Sequence, residues 1–244
     1  MSKLKFILLT LVLLGSNVSL AGADTITMSY TADNEATFAG LYNSSGNLVL
    51  SLALPYTPGQ RIGNWKQSYT GSYNTTLQPN STYYLVFDVQ NYTADSSSYG
   101  GNTSSTNPLA FIGDFTVTSP YDNMTDGSSS AWYAIAGDTS PVATAPSKII
   151  IPSANATSYG QNQDQNTIWN QVKGSSVSGI AATDEWIGAG AYPGGGADGL
   201  PSMLIAAEFT TDTPPAATPE PASMLLLGLG AAGMALARKK MKKA

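Results

Sequence analysis

The chain has 244 residues, no cysteine and no histidine, with eleven basic and sixteen acidic residues for a formal net charge of −5. That composition excludes a Ser-His-Asp triad, a thiol nucleophile, a disulfide framework and any imidazole or thiolate metal site. Seven of the eleven cations fall within the first five and last seven residues, so the middle of the chain is far more acidic than the total suggests.

Lys3 and Lys5 precede an apolar run, Phe6 to Leu14, interrupted only by Thr10, and Ala21-Gly22-Ala23 follows. A basic stretch, a short apolar stretch and an A-x-A site predict a signal peptide over 1–23, with cleavage recognised through Ala21 and Ala23 and Asp24 as the mature start. The apolar run is too short for a retained anchor.

Residues 24–212 read as one domain. They hold fifteen acids against four cations, Arg61, Lys66, Lys148 and Lys173, a body charge of about −11. Such a surface argues against nucleic acid and anionic lipid as partners. Core packing must hold a cysteine-free domain of this size together, and its length is sufficient for that.

Short apolar runs alternate with turn clusters, and helix formers are sparse, which predicts an all-β, antiparallel sandwich. Ile26, Met28 and Tyr30 alternate with Thr27 and Ser29 as a half-buried strand. Phe38 to Tyr42 and Leu48 to Leu54 flank Asn43-Ser44-Ser45-Gly46-Asn47 as a hairpin that Pro55 stops. Thr82 to Val89, after the turn Gln78-Pro79-Asn80-Ser81, has the β-branched and aromatic content of a central strand. Leu109 to Val117, Trp132 to Ile135 and Met203 to Phe209 are further strands, and Ile149 to Ile151 is a short edge. Asp95 to Asn107 and the Gly-rich Ala189 to Gly199 are loops, and Thr167 to Val172 is a helical turn.

Carboxylates remain as catalytic candidates. Glycoside hydrolysis needs two of them on opposite sides of a cleft, and Asp88, Glu208, Asp184 and Glu185 are the carboxylates considered for that role. Any acidic domain supplies such pairs, so the chain is read as non-catalytic and no catalytic residue is assigned. Asp122-Asn123-Met124-Thr125-Asp126-Gly127 has Met at a ligand position and no closing Glu, so it is not an EF-hand. It reads as a solvated acidic turn, with calcium on sandwich loops left open and no cofactor expected. Of Trp65, Trp132, Trp169 and Trp186, at least two should be core. Trp65, in a polar stretch with Arg61 and Lys66, is the candidate exposed platform for a sugar ring. Asn-x-Ser/Thr triplets at Asn74, Asn80, Asn91, Asn102, Asn123 and Asn155 reflect a polar β surface.

Residues 213–218 form a Pro/Ala linker. Pro219-Glu220-Pro221 follows, then an apolar helix over 222–237 and a basic tail, 238–243. Sixteen helical residues cover about 24 Å, short of a hydrocarbon core near 30 Å; snorkelling of the flanking cations makes up the rest. The basic tail stays cytoplasmic by the positive-inside rule, and Pro219 and Pro221 keep the approach extended, open to a processing enzyme.

These three parts in this order resemble the PEP-CTERM protein-sorting signal of Gram-negative bacteria, over residues 219–244. The resemblance implies cleavage near Pro219-Glu220-Pro221 by exosortase, an integral-membrane enzyme with a cysteine nucleophile. It also implies transit through the inner membrane, release to the cell surface, and company with exopolysaccharide and biofilm production. Some proteins with this tail carry ice-binding names; no Thr-x-Thr ladder of fixed period occurs in this sequence, and that activity is discounted.

A second resemblance spans most of the body. Asp33-Asn34, Asn43 to Gly46, Trp65, Leu77-Gln78-Pro79, Tyr83 to Val89, Asn91 and Asn107 to Phe111 follow one another as in a galactose-binding-like, jelly-roll sandwich. Ala156 to Gly160, Thr167-Ile168-Trp169 and Asp184 to Ile187 continue it. The hairpin departs from that pattern, since Asn43-Ser44-Ser45-Gly46 is longer than the usual Asn-Gly. Two readings follow: a structural or adhesive component of the polysaccharide matrix, and a carbohydrate-binding module with a defined sugar site.

Overall fold

The computed structural model describes residues 23–33, 35–56, 67–91, 109–118, 123–126, 132–137, 144–162, 177–189 and 202–212, with single helical positions at 228 and 238. Two compact units divide the chain, Met1–Asp212 and Thr213–Ala244. In the first, the described residues form eleven strands: β1 (Asp24–Asp33), β2 (Glu35–Asn43), β3 (Leu48–Leu52), β4 (Tyr69–Thr75), β5 (Thr82–Gln90), β6 (Ala110–Thr118), β7 (Asn123–Asp126), β8 (Trp132–Ala136), β9 (Thr157–Gln161), β10 (Glu185–Gly188) and β11 (Ser202–Thr210).

They make two antiparallel sheets. The first has the order β4-β1-β6-β10-β9, and the second β3-β2-β5-β11-β8. The outer edge of β6 is shared: Phe111 pairs with Ile187 of β10, and Phe115 to Thr118 pair with β7.

Alternation in the strands explains the sandwich. Ile26, Met28 and Tyr30 of β1 and Phe111, Phe115 and Val117 of β6 face Leu85, Phe87 and Val89 of β5 and Met203, Ile205 and Phe209 of β11, all in one buried core. Aromatic rings join the sheets directly. Phe87 lies 4.9 Å from Tyr30 and 4.8 Å from Phe111, and Trp132 lies 5.3 Å from Phe111 and meets Phe115 edge-on at 6.1 Å. Offset and edge contacts of this kind add about 0.5–1.5 kcal/mol per pair beyond area burial. Trp132 and Trp186 are both core, as expected for two of the four tryptophans.

Short segments cover parts of the outer faces. Residues 144–151 bring Ala145, Ile149 and Ile151 against Phe38, Tyr42, Val86 and Ala206 on the outside of the second sheet. Val177 and Ile180 cover Ala110, Ile112, Tyr159 and Trp186 on the first. The Ile149–Ile151 edge strand expected from sequence does not form. That segment makes one bridge, Asn47 to Lys148, and serves as a cover whose Ile149 and Ile151 point inward while Ile150 is 86 % exposed. The apolar triplet signals burial, and its geometry is set by the hairpin below it. There the Ile149 amide donates to the Gly46 carbonyl and the Leu48 amide to the Ser147 carbonyl.

The first and last strands of the body meet at one end of the sandwich. The Asp24 carboxylate accepts the Leu77 amide at 2.6 Å. Thr211, just past β11, donates its hydroxyl to the Gln78 carbonyl at 2.6 Å and accepts the Ser81 amide at 3.0 Å. The turn Leu77–Ser81 therefore ties down the first strand and the last. At the opposite end the chain passes from β1 to β2, from β5 to β6 and from β10 to β11.

Candidate functional site

Sequence-derived site residues divide sharply in this structure. Pro219, Glu220, Pro221, Ala21, Trp65 and Trp169 lie outside the described residues, as do the loop over 95–107, the helical turn over 167–172 and, apart from the single helical positions at 228 and 238, the helix over 222–237 and the basic tail. Ala23 is exposed directly before β1, and Asp24 is the first strand residue. Among the described residues no helix is long and apolar enough to cross a membrane.

The four candidate carboxylates do not converge. Asp88 is fully buried on β5, where it accepts the Thr37 hydroxyl at 2.5 Å and the Gln90 amide at 2.8 and 2.9 Å. Those bonds hold a bulge in β2, where the register shifts between Ala36 and Phe38. Asp184 and Glu185 stand at the start of β10 in the other sheet, and the Asp184 carbonyl accepts the Asn162 amide at 2.7 Å.

Asn123–Asp126 is a strand rather than the acidic turn expected from sequence, because it pairs residue for residue with the end of β6. Among the described residues no group of three His, Cys, Asp or Glu could hold a metal ion. Asn91 is fully buried, so this asparagine is not part of the polar surface expected from sequence.

Glu208 stands in a different setting. It is half-buried on the outer face of the second sheet, directly across from Tyr84 on β5, and Tyr133 of β8 sits two residues along, opposite Ala206. The two phenols flank one carboxylate. Burial, then a hydrogen bond and charge from Glu208, pushes the Tyr84 phenol up to about 12. For Tyr133 the Glu208 charge is the main cause of an upward shift. A carboxylate between two aromatic rings can take hydroxyl groups while the rings offer apolar faces.

The outer face of the first sheet carries a second pattern. Thr25, Thr27 and Ser29 of β1 lie between Asn74, Ser72 and Thr70 of β4 and Thr118, Thr116 and Asp114 of β6. Side-chain bonds cross from β1 to β4: Thr25 to Asn74 at 3.0 Å, Thr27 with Ser72 at 3.4 Å and Ser29 with Thr70 at 3.0 Å. The result is an exposed or half-exposed array of small polar groups, spaced about 4.8 Å across strands and about 6.7 Å along them. Three separated segments build it, so no fixed period in the sequence reveals it; the signal present is the polar half of each strand's alternation.

A comparison with protein families matches residues 217–240 to the PEP-CTERM protein-sorting motif. The chain carries a PEP-CTERM protein-sorting motif in its C-terminal segment. The motif is the one exosortase recognises, and it marks a secreted protein that is anchored through its C-terminus before processing. No curated protein and no solved structure matches the chain. The PEP-CTERM match covers the tail alone, so the galactose-binding-like assignment of the body rests on the sequence resemblance.

Proposed function

We propose that this PEP-CTERM protein is a non-catalytic structural or adhesive component of the extracellular polysaccharide, or biofilm, matrix of a Gram-negative bacterium. It is exported, held in the inner membrane by the apolar stretch 222–237, cut near Pro219-Glu220-Pro221 and released to the cell surface. The sorting motif over 217–240 is the observation that carries this reading. The acidic, cysteine-free body and the exposed or half-exposed hydroxyl array on β1, β4 and β6 support it, because neutral hydroxyl groups can exchange hydrogen bonds with a hydrated glycan without a charge partner. The absence of His and Cys from the chain, and the commitment of Asp88 to Thr37 and Gln90, support a role without catalysis.

Tyr84, Glu208 and Tyr133 favour a second reading, a carbohydrate-binding module with a defined sugar site; Trp65 is a further contact under that reading. One experiment separates the two. Processed protein is co-sedimented with the host's exopolysaccharide and applied to a glycan array. Matrix function gives retention on the polymer without a selective array signal, reduced several-fold by Thr27→Ala with Ser72→Ala. A module gives saturable, sugar-selective binding that Glu208→Gln with Tyr133→Ala abolishes. Unchanged retention of Trp65→Ala removes Trp65 from either site. No retention and no array signal would overturn both readings.

A further inference from the structure

We infer that the Thr211 clasp sets the length of chain available to the processing enzyme. The inference rests on the reading of Pro219-Glu220-Pro221 as the processing motif. Thr211 is 6 % exposed. Its hydroxyl donates to the Gln78 carbonyl at 2.6 Å, its amide donates to the Ser81 carbonyl at 3.0 Å, and the Asn80 amide donates to the Asp212 carbonyl at 3.3 Å. Asn80 reaches this position with φ of 52°, in the left-handed region that Asn tolerates. On the same turn Leu77 is held by Asp24. β11 lies between β5 and β8, and β1 between β4 and β6, so neither end of the body can peel away without opening a sheet.

The fold therefore ends at Asp212 and not at a fraying strand. Residues 213–218 alone separate it from Pro219. Six residues at full extension span about 20–22 Å. An enzyme that cuts at this motif must admit the clasped end of a folded sandwich within that distance.

The test is the ratio of tail-free to tail-bearing protein, read by intact mass from the native host. Deleting 213–218 is expected to lower that ratio at least tenfold, and replacing 213–218 with six Gly/Ser residues to leave it unchanged. Adding Thr211→Val to the deletion frees the end of β11 and is expected to raise the ratio at least threefold over the deletion alone, with thermal melts showing the body folded. Amide exchange on the tail-bearing protein supplies a readout independent of processing: the Thr211 amide exchanges as slowly as that of Ile205.

Wild-type ratios for the deletion would overturn the inference and leave the sorting reading standing. So would a folded Thr211→Val deletion with no recovery, or fast exchange at Thr211. A wild-type protein that is never cut would overturn both.

Discussion

Asp88 illustrates how a residue that looks catalytic in sequence becomes structural. An acid inside the best strand of an acidic domain invites a chemical role, yet its oxygens are taken by Thr37 and Gln90. Asp88→Leu leaves those donors buried without their acceptor, at about 1–3 kcal/mol each. The variant is expected to lower the unfolding free energy in urea by about 2–4 kcal/mol while leaving polymer retention intact. Glu208 makes the opposite case. Because its charge is the main cause of the Tyr133 shift and a lesser cause for Tyr84, Glu208→Gln is expected to move the Tyr133 titration most of the way back to the ordinary phenol range. The Tyr84 titration moves only part of the way, as burial is unchanged. Ultraviolet titration of the variant against the parent protein checks both.

Among the elements, strands with strong apolar alternation were readable and weakly apolar ones were not. β1, β5, β6, β8 and β11 show their alternation or their β-branched and aromatic runs directly. β4 reads Tyr-Thr-Gly-Ser-Tyr-Asn-Thr, and its inward positions are Tyr69, Gly71 and Tyr73. Nothing local separates that from a polar loop; pairing with β1 makes it a strand. β7, β9 and β10 are four or five residues long and owe their existence to neighbours. The β2–β3 hairpin was legible because Asn43 and Gly46 carry its mechanics. The Asn43 side chain accepts the amides of Ser45 and Asn47, and Gly46 sits at φ 75°. A Cβ at Gly46 would lie 2.2 Å from the Ile149 carbonyl oxygen. Gly46→Ala thus combines left-handed strain with a backbone clash, and it is expected to cost about 2–3 kcal/mol in urea unfolding and to loosen the 144–151 cover.

At the scale of the whole molecule, sequence conveyed the sorting motif and the sandwich class, because both rest on patterns within contiguous segments. The candidate surface groups were hidden because they assemble across segments: the hydroxyl array draws on β1, β4 and β6, and the Tyr84–Glu208–Tyr133 group on β5, β11 and β8. Global stability carries a further consequence. Burial pushes the Tyr42 and Tyr159 phenols up to about 12, and burial with Glu208 does so for Tyr84. Their protons are held more tightly in the folded than in the unfolded state. The stabilisation they contribute is therefore complete below about pH 10 and is lost as pH rises towards 12. Denaturant melts should be flat in this contribution at neutral pH and fall through that alkaline window.

The central claim, that the tail directs the sorting and processing of this sandwich, is tested most directly by intact mass of protein from cells and medium, with and without substitution of Pro219-Glu220-Pro221. The account predicts a wild-type mass lacking the apolar and basic tail and a variant that retains it. An intact tail in both would make the C-terminus a plain membrane anchor and contradict the account.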